Sequence, residues 1–126
     1  RFKVVQTSVH VADPRHPITT GMGDFDVRDE FYYRLKFVQP VGSVHPLLQA
    51  EIEGRPETVA WSWERPDGGR SFGFSGLHFH DNWRLVEYRR LVAQGVLWTM
   101  KLPVAKQGLP VEVTADDLKL PPPTGP

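Results

Sequence analysis

Thr58 to Glu64 (TVAWSWE), the turn Pro66-Asp67-Gly68-Gly69 and Arg70 to Phe79 (RSFGFSGLHF) form the stretch that decides the fold. The first piece alternates apolar and polar residues, as a half-buried strand does. Pro66-Asp67 favours the opening of a turn, and glycine tolerates the positive φ that tight loops demand. The second piece extends again. The three together predict a β-hairpin.

Downstream the period changes. In Trp83 to Met100 (WRLVEYRRLVAQGVLWTM), Leu85, Tyr88, Leu91, Val92, Gly95 and Trp98 fall at steps of three and four, which predicts one long helix. Asp81 or Asn82 can cap it, while Arg84, Arg89 and Arg90 lie off the stripe. Upstream, Phe2 to Val11 is rich in β-branched residues and ends at Asp13-Pro14. His16-Pro17-Ile18-Thr19-Thr20-Gly21 reads as a loop or a helical turn. Phe25 to Tyr33 is a strand or an irregular edge, Pro40-Val41-Gly42 is a break, and Val44 to Ile52 is a further strand interrupted by Pro46. Residues 101–126 form a proline-rich tail, expected to lie over the surface through Leu109, Val111, Val113 and Leu118.

The 126 residues bound the chain to one domain. Fifteen basic and fifteen acidic side chains leave no net charge, so neither a nucleic-acid groove nor an acidic membrane surface is an expected partner. With no cysteine there is no disulfide, no thiolate zinc site and no cysteine nucleophile in this chain. Compartment is left open. The start at Arg1, inside a strand pattern, points to an upstream segment.

The densest chemistry is Ser75-Gly76-Leu77-His78-Phe79-His80-Asp81-Asn82-Trp83, at the passage from strand to helix, where α/β folds open a crevice beside a helix N-terminus. If the strand runs through His80, His78 and His80 share a face and can hold one metal ion or a pair of substrate hydroxyls. The alternative is that one packs on Trp83 and the other bonds a carbonyl. No cofactor is evident otherwise. Asp29-Glu30 lies among aromatics, a setting that disfavours the charged carboxylate and suits a general acid or base, or else it pairs with Arg28 or Arg34. His16 is a turn residue or a pocket lining, and His45 a surface residue. Trp61 and Trp63 are core residues or a sugar-stacking platform. The glycines do not match a phosphate-cradling loop.

Taken in order, His16-Pro17-Ile18-Thr19-x-Gly21, Asp29-Glu30-x-Tyr32, Val59-Ala60-Trp61, His78-x-His80 and Arg89-Arg90-Leu91-x-x-x-Gly95-x-Leu97-Trp98 resemble the C-terminal part of ThuA-like (trehalose-utilization) domains. The resemblance implies that residues 1–100 belong to an α/β, three-layer αβα sandwich of the flavodoxin-like, class I glutamine amidotransferase-like kind, as a strand-rich half with one long helix. In the wider superfamily a Gly-x-Gln-Phe-His-Pro-Glu pattern supplies a triad's histidine and glutamate. Here His80 takes the histidine position and Asn82 the glutamate position, with Asp81 one residue away, so no intact amidotransferase triad is implied.

The function implied is action on, or binding of, a carbohydrate derivative. Expected roles are His80 as acid/base or ligand donor, His78 as its partner, Glu30 as a second acid/base supported by Asp29, Asn82 as cap or substrate donor, and Trp83 and His16 as substrate-binding residues. A non-catalytic carbohydrate-binding or protein-interaction module is the alternative. An apolar edge near Val4, Val5, Val9 and Val11 suggests self-association.

Overall fold

The computed structural model describes residues 1–37 and 44–122. The expected break at Pro40-Val41-Gly42 and the end of the tail, residues 123–126, lie outside them. Five strands are present: β1 (Phe2–Val11), β2 (Phe25–Tyr32), β3 (His45–Ile52), β4 (Arg55–Glu64) and β5 (Arg70–Phe74). A 3₁₀ helix (His80–Arg84) and one α-helix, α1 (Val86–Thr99), follow.

The strands form a single sheet in the order β2-β1-β3-β4-β5, and each neighbouring pair is antiparallel. This corrects the expected three-layer αβα, flavodoxin-like sandwich. Parallel neighbours need a crossover of a dozen or more residues, usually a helix. Here β3 and β4 are joined by Glu53-Gly54 alone, both with positive φ (55° and 72°), as a tight hairpin whose twist matches its strands requires. The β4–β5 loop is closed by Arg65 N–H donating to Gly69 O (2.8 Å), Gly68 N–H donating to Arg65 O (2.9 Å) and Gly69 N–H donating to the Asp67 carboxylate (2.8 Å). The only α-helix among the described residues packs on one face of the sheet.

The sheet curls into a half-barrel. Its two ends approach where Tyr32 N–H reaches Ser75 O (3.4 Å) and the Ser75 hydroxyl donates to Tyr32 O (2.9 Å). Inside the curl, alternate residues of β1 and β2 (Val9, Val11; Val27, Phe31) meet Leu48, Ala50 and Ile52 of β3 and Val59 of β4. A register shift between Pro46 and Leu48 turns both Leu47 and Leu48 inward, which is the use of a proline at a bulge. The side of α1 carrying Tyr88, Leu91, Gln94, Gly95 and Trp98 fills the remaining space. β1 pairs with β2 along Phe2–Val9 and with β3 only at Val9–Val11; Val9 and Val11 are core residues, whereas Phe2, Val4 and Tyr32 are exposed at one end.

Three local expectations change. The helix is divided at Leu85, whose extended backbone (φ −75°, ψ 122°) separates the 3₁₀ helix from α1. Neither Asp81 nor Asn82 caps α1, because the N-cap position falls on Leu85. β5 ends at Phe74 rather than running to Phe79, since Leu77 takes positive φ (68°) and turns the chain away.

Candidate functional site

Asp29 is the organising residue of the strand-to-helix passage. It lies in the inward row of β2 with Val27 and Phe31, and it is 0% exposed. A buried carboxylate costs heavily unless donors surround it. Four do: Leu77 N–H (2.6 Å) and Tyr88 Oη–H (2.9 Å) donate to Oδ2, while Glu30 N–H (2.9 Å) and His78 N–H (3.1 Å) donate to Oδ1. Leu77 and His78 are consecutive, and the positive φ of Leu77 is the conformation that points both N–H groups at one anion. Burial, then the Asp29 carboxylate, pushes the Tyr88 phenol far above its ordinary range, so the hydroxyl stays protonated and donates. Asp29 therefore pins the 77–78 turn to β2 and α1, and its oxygens are filled by that task.

Glu30 points the other way. Its carboxylate Oε1 stands 3.4 Å from His78 Nδ1; the Glu30 side chain is 16% exposed and that of His78 is 54% exposed. Phe79 packs edge-on against His78, with ring centroids 4.9 Å apart, and the Arg28 guanidinium lies 5.0 Å from the centre of the Phe79 ring. Asn82 Nδ2 donates to Arg28 O (3.0 Å), tying the 3₁₀ helix to β2. Glu30, His78 and Asn82 thus gather along β2 in a surface with an anion, an imidazole and an aromatic edge. Phe79 was not singled out from sequence, and Arg28 only as an ion-pair partner for Asp29-Glu30, a pair not present among the described residues; the alternation Arg28, Glu30, Tyr32 places Arg28 on the same outward row as Glu30.

His80 does not join this group. Its Nε2 is 2.8 Å from Leu118 O, and His80 and Trp83 line a separate cleft of about 540 Å³ with Arg89, Val92, Val111 and Leu118. The idea of a shared strand face for His78 and His80 required β5 to reach His80, and β5 stops before it. Among the described residues, no three His, Asp or Glu side chains are placed to hold a metal ion.

His16 sits elsewhere, against β4. Its Nδ1 accepts Ile18 N–H (3.1 Å), so the neutral ring carries its proton on Nε2 and donates to Ser62 Oγ (3.2 Å). That tautomer cannot take a proton from Ser62, and Ser62 is itself buried. The His16 ring stacks on His45 (5.4 Å) and tilts against Trp98 (5.2 Å), and His45 Nε2 pairs with Asp13 (2.9 Å). Burial, and then His45, holds the His16 imidazole below its usual range. The motif is a fastening of the first loop to the sheet. Trp61 lies against Phe37 (5.1 Å) and covers Gly73, and the indole nitrogen of Trp63 is buried.

The family model described as ThuA, trehalose utilisation, matches residues 2–99. No curated protein and no solved structure matches the chain.

Proposed function

We propose, from the premise that this chain belongs to the ThuA (trehalose utilisation) family, that it takes a carbohydrate derivative at the surface where Glu30 meets His78. The observation that carries this is the 3.4 Å contact between a largely covered carboxylate and a half-open imidazole. Such a pair offers an acceptor and a switchable donor at one point, which suits a ligand rich in hydroxyl groups and also suits proton transfer. Phe79 supplies an adjacent apolar edge, and Asn82 holds the 3₁₀ helix in place. In this reading Glu30 and His78 form the acid/base pair. Asp29 supports them by holding the His78 backbone, at a distance from substrate. His80 and Trp83 are left out, because their cleft is lined mainly by apolar side chains and the His80 ring nitrogen is engaged by Leu118 O.

The second reading, a binding module without chemistry, is favoured by one observation: the most deeply held carboxylate, Asp29, is filled by four structural donors and has no open face for proton exchange. Saturation-transfer NMR with glucose, trehalose and their keto derivatives, run on the wild type, Glu30→Gln and His78→Ala, tests the site. Binding lost in both variants supports it, and binding unchanged in both contradicts it. Turnover of a bound sugar by the wild type, abolished in Glu30→Gln, distinguishes an enzyme from a module.

A further inference from the structure

The cleft that holds His80 and Trp83 has its own chemistry. One wall is the 3₁₀ helix and α1, through His80, Trp83, Arg89, Val92 and Ala93; the other is the segment Val111 to Leu118. The second wall is hung on the first by side chains: Arg89 Nε donates to Val111 O (2.7 Å), and His80 Nε2 stands against Leu118 O (2.8 Å). At about 540 Å³ the cleft falls within the range of small-molecule sites.

Its charged groups are one guanidinium and two carboxylates. The guanidinium, Arg89, spends two of its five N–H donors on carbonyls, with Nε on Val111 O and Nη1 on Trp83 O (2.6 Å). With its Nε2–H given to Leu118 O, the neutral His80 ring presents Nδ1 as an acceptor. Asp117 Oδ2 takes the Thr114 N–H and hydroxyl (both 2.7 Å), leaving Oδ1 open. Glu112 is exposed and makes no salt bridge among the described residues. The cleft thus offers a ligand an apolar floor with an indole and a rim on which two carboxylates outnumber the one, partly engaged, guanidinium.

We infer that this cleft binds a small apolar or aromatic cation, an amine whose hydrocarbon body lies on Val92, Ala93, Val111 and Val113 and whose ammonium group meets Glu112, Asp117 and the Trp83 ring. A cation near an indole and two carboxylates is attracted by both, whereas a carboxylate ligand meets two like charges and only one guanidinium, two of whose N–H groups are already spent on carbonyls. The site is independent of the Glu30–His78 surface, and its ligand class is opposite in character to a sugar.

The test uses the full chain with three probes that share a phenylethyl body, 2-phenylethylamine, 2-phenylethanol and 3-phenylpropanoate, followed by ligand-observed NMR. The amine is expected to bind tightest and the carboxylate weakest. Glu112→Gln, an exposed change that leaves the fold intact, lowers the amine's affinity by about threefold to fivefold and leaves the alcohol's unchanged. Ala93→Leu, confirmed as folded by circular dichroism, abolishes binding of all three by filling the floor. The inference is overturned if the carboxylate binds as well as the amine, if no probe binds at millimolar concentration, or if Ala93→Leu leaves binding intact.

Discussion

The Tyr88 hydroxyl donates to the Asp29 carboxylate at 2.9 Å, joining the middle of α1 to the inward row of β2 across 59 residues of sequence. Through the same carboxylate the turn at Leu77 and His78 is fixed, so helix, sheet and candidate site share one anchor. Asp29→Ala leaves three N–H groups and a buried phenol without their partner. A loss of about 3 kcal/mol or more in urea unfolding is expected, against about 1–2 kcal/mol for Tyr88→Phe, which removes a single donor. Equal, small losses in both variants would argue that the carboxylate is not an anchor.

Acidification should weaken the fold through His16. Burial and His45 depress its imidazole in the folded state, so the unfolded chain binds the proton first as pH falls past about 6.5. The contribution is therefore complete above that pH and is lost progressively below it. Urea midpoints measured from pH 8 to pH 5 should fall more steeply for the wild type than for His16→Gln. The neighbouring Asp13 carboxyl, held low mainly by the Arg15 N–H, titrates below this window and does not contribute to the slope within it.

Gly95 sits in the interior of α1, where alanine in isolation would favour the helix by about 1 kcal/mol. An added Cβ, however, would stand 2.5 Å from the Phe72 ring of β5. Overpacking of that kind costs about 1–3 kcal/mol, so the sign of Gly95→Ala is set by packing and the variant should be destabilised. Thermal unfolding reads the result; a raised midpoint would mean that Phe72 can move aside.

Gln94 connects three parts of the chain. Its Nε2 donates to Ile18 O (2.7 Å) and Thr20 O (3.1 Å), and its Oε1 accepts Leu109 N–H (2.9 Å). Gln94→Ala should free the segment beyond Leu109 and speed tryptic cleavage at Lys106 and Lys119, with a stability loss of about 2–3 kcal/mol. Cleavage at the wild-type rate would show that Arg89, donating to Val111 O, and Arg90, whose Nε donates to Leu109 O (3.1 Å), hold the segment without it.

What was legible in the sequence was local. The alternation of Thr58–Glu64 and the Pro66–Gly69 turn are present as a hairpin, and the stripe through Tyr88, Leu91, Gly95 and Trp98 is the buried side of α1. Pairing direction was not legible, because the parallel layers were implied by resemblance, while β1 meets β2 and β3 through contacts distant in sequence. The site was legible in part. Asp29-Glu30 stood out as carboxylates among aromatics, but which of them faces inward depends on the register of β2, and the period of two assigns Asp29 to the core and Glu30 to the surface. The separation of His78 from His80 depends on Leu77 taking positive φ, a conformation that leucine's chemistry does not announce.

The division of labour between Asp29 and Glu30 is tested most directly by titrating Glu30→Gln with the sugar that the wild type binds, beside its urea unfolding curve. The account predicts a wild-type unfolding midpoint together with a loss of affinity of about tenfold or more, as expected when a charged hydrogen-bond acceptor is removed. Wild-type affinity in a fully folded Glu30→Gln would contradict it.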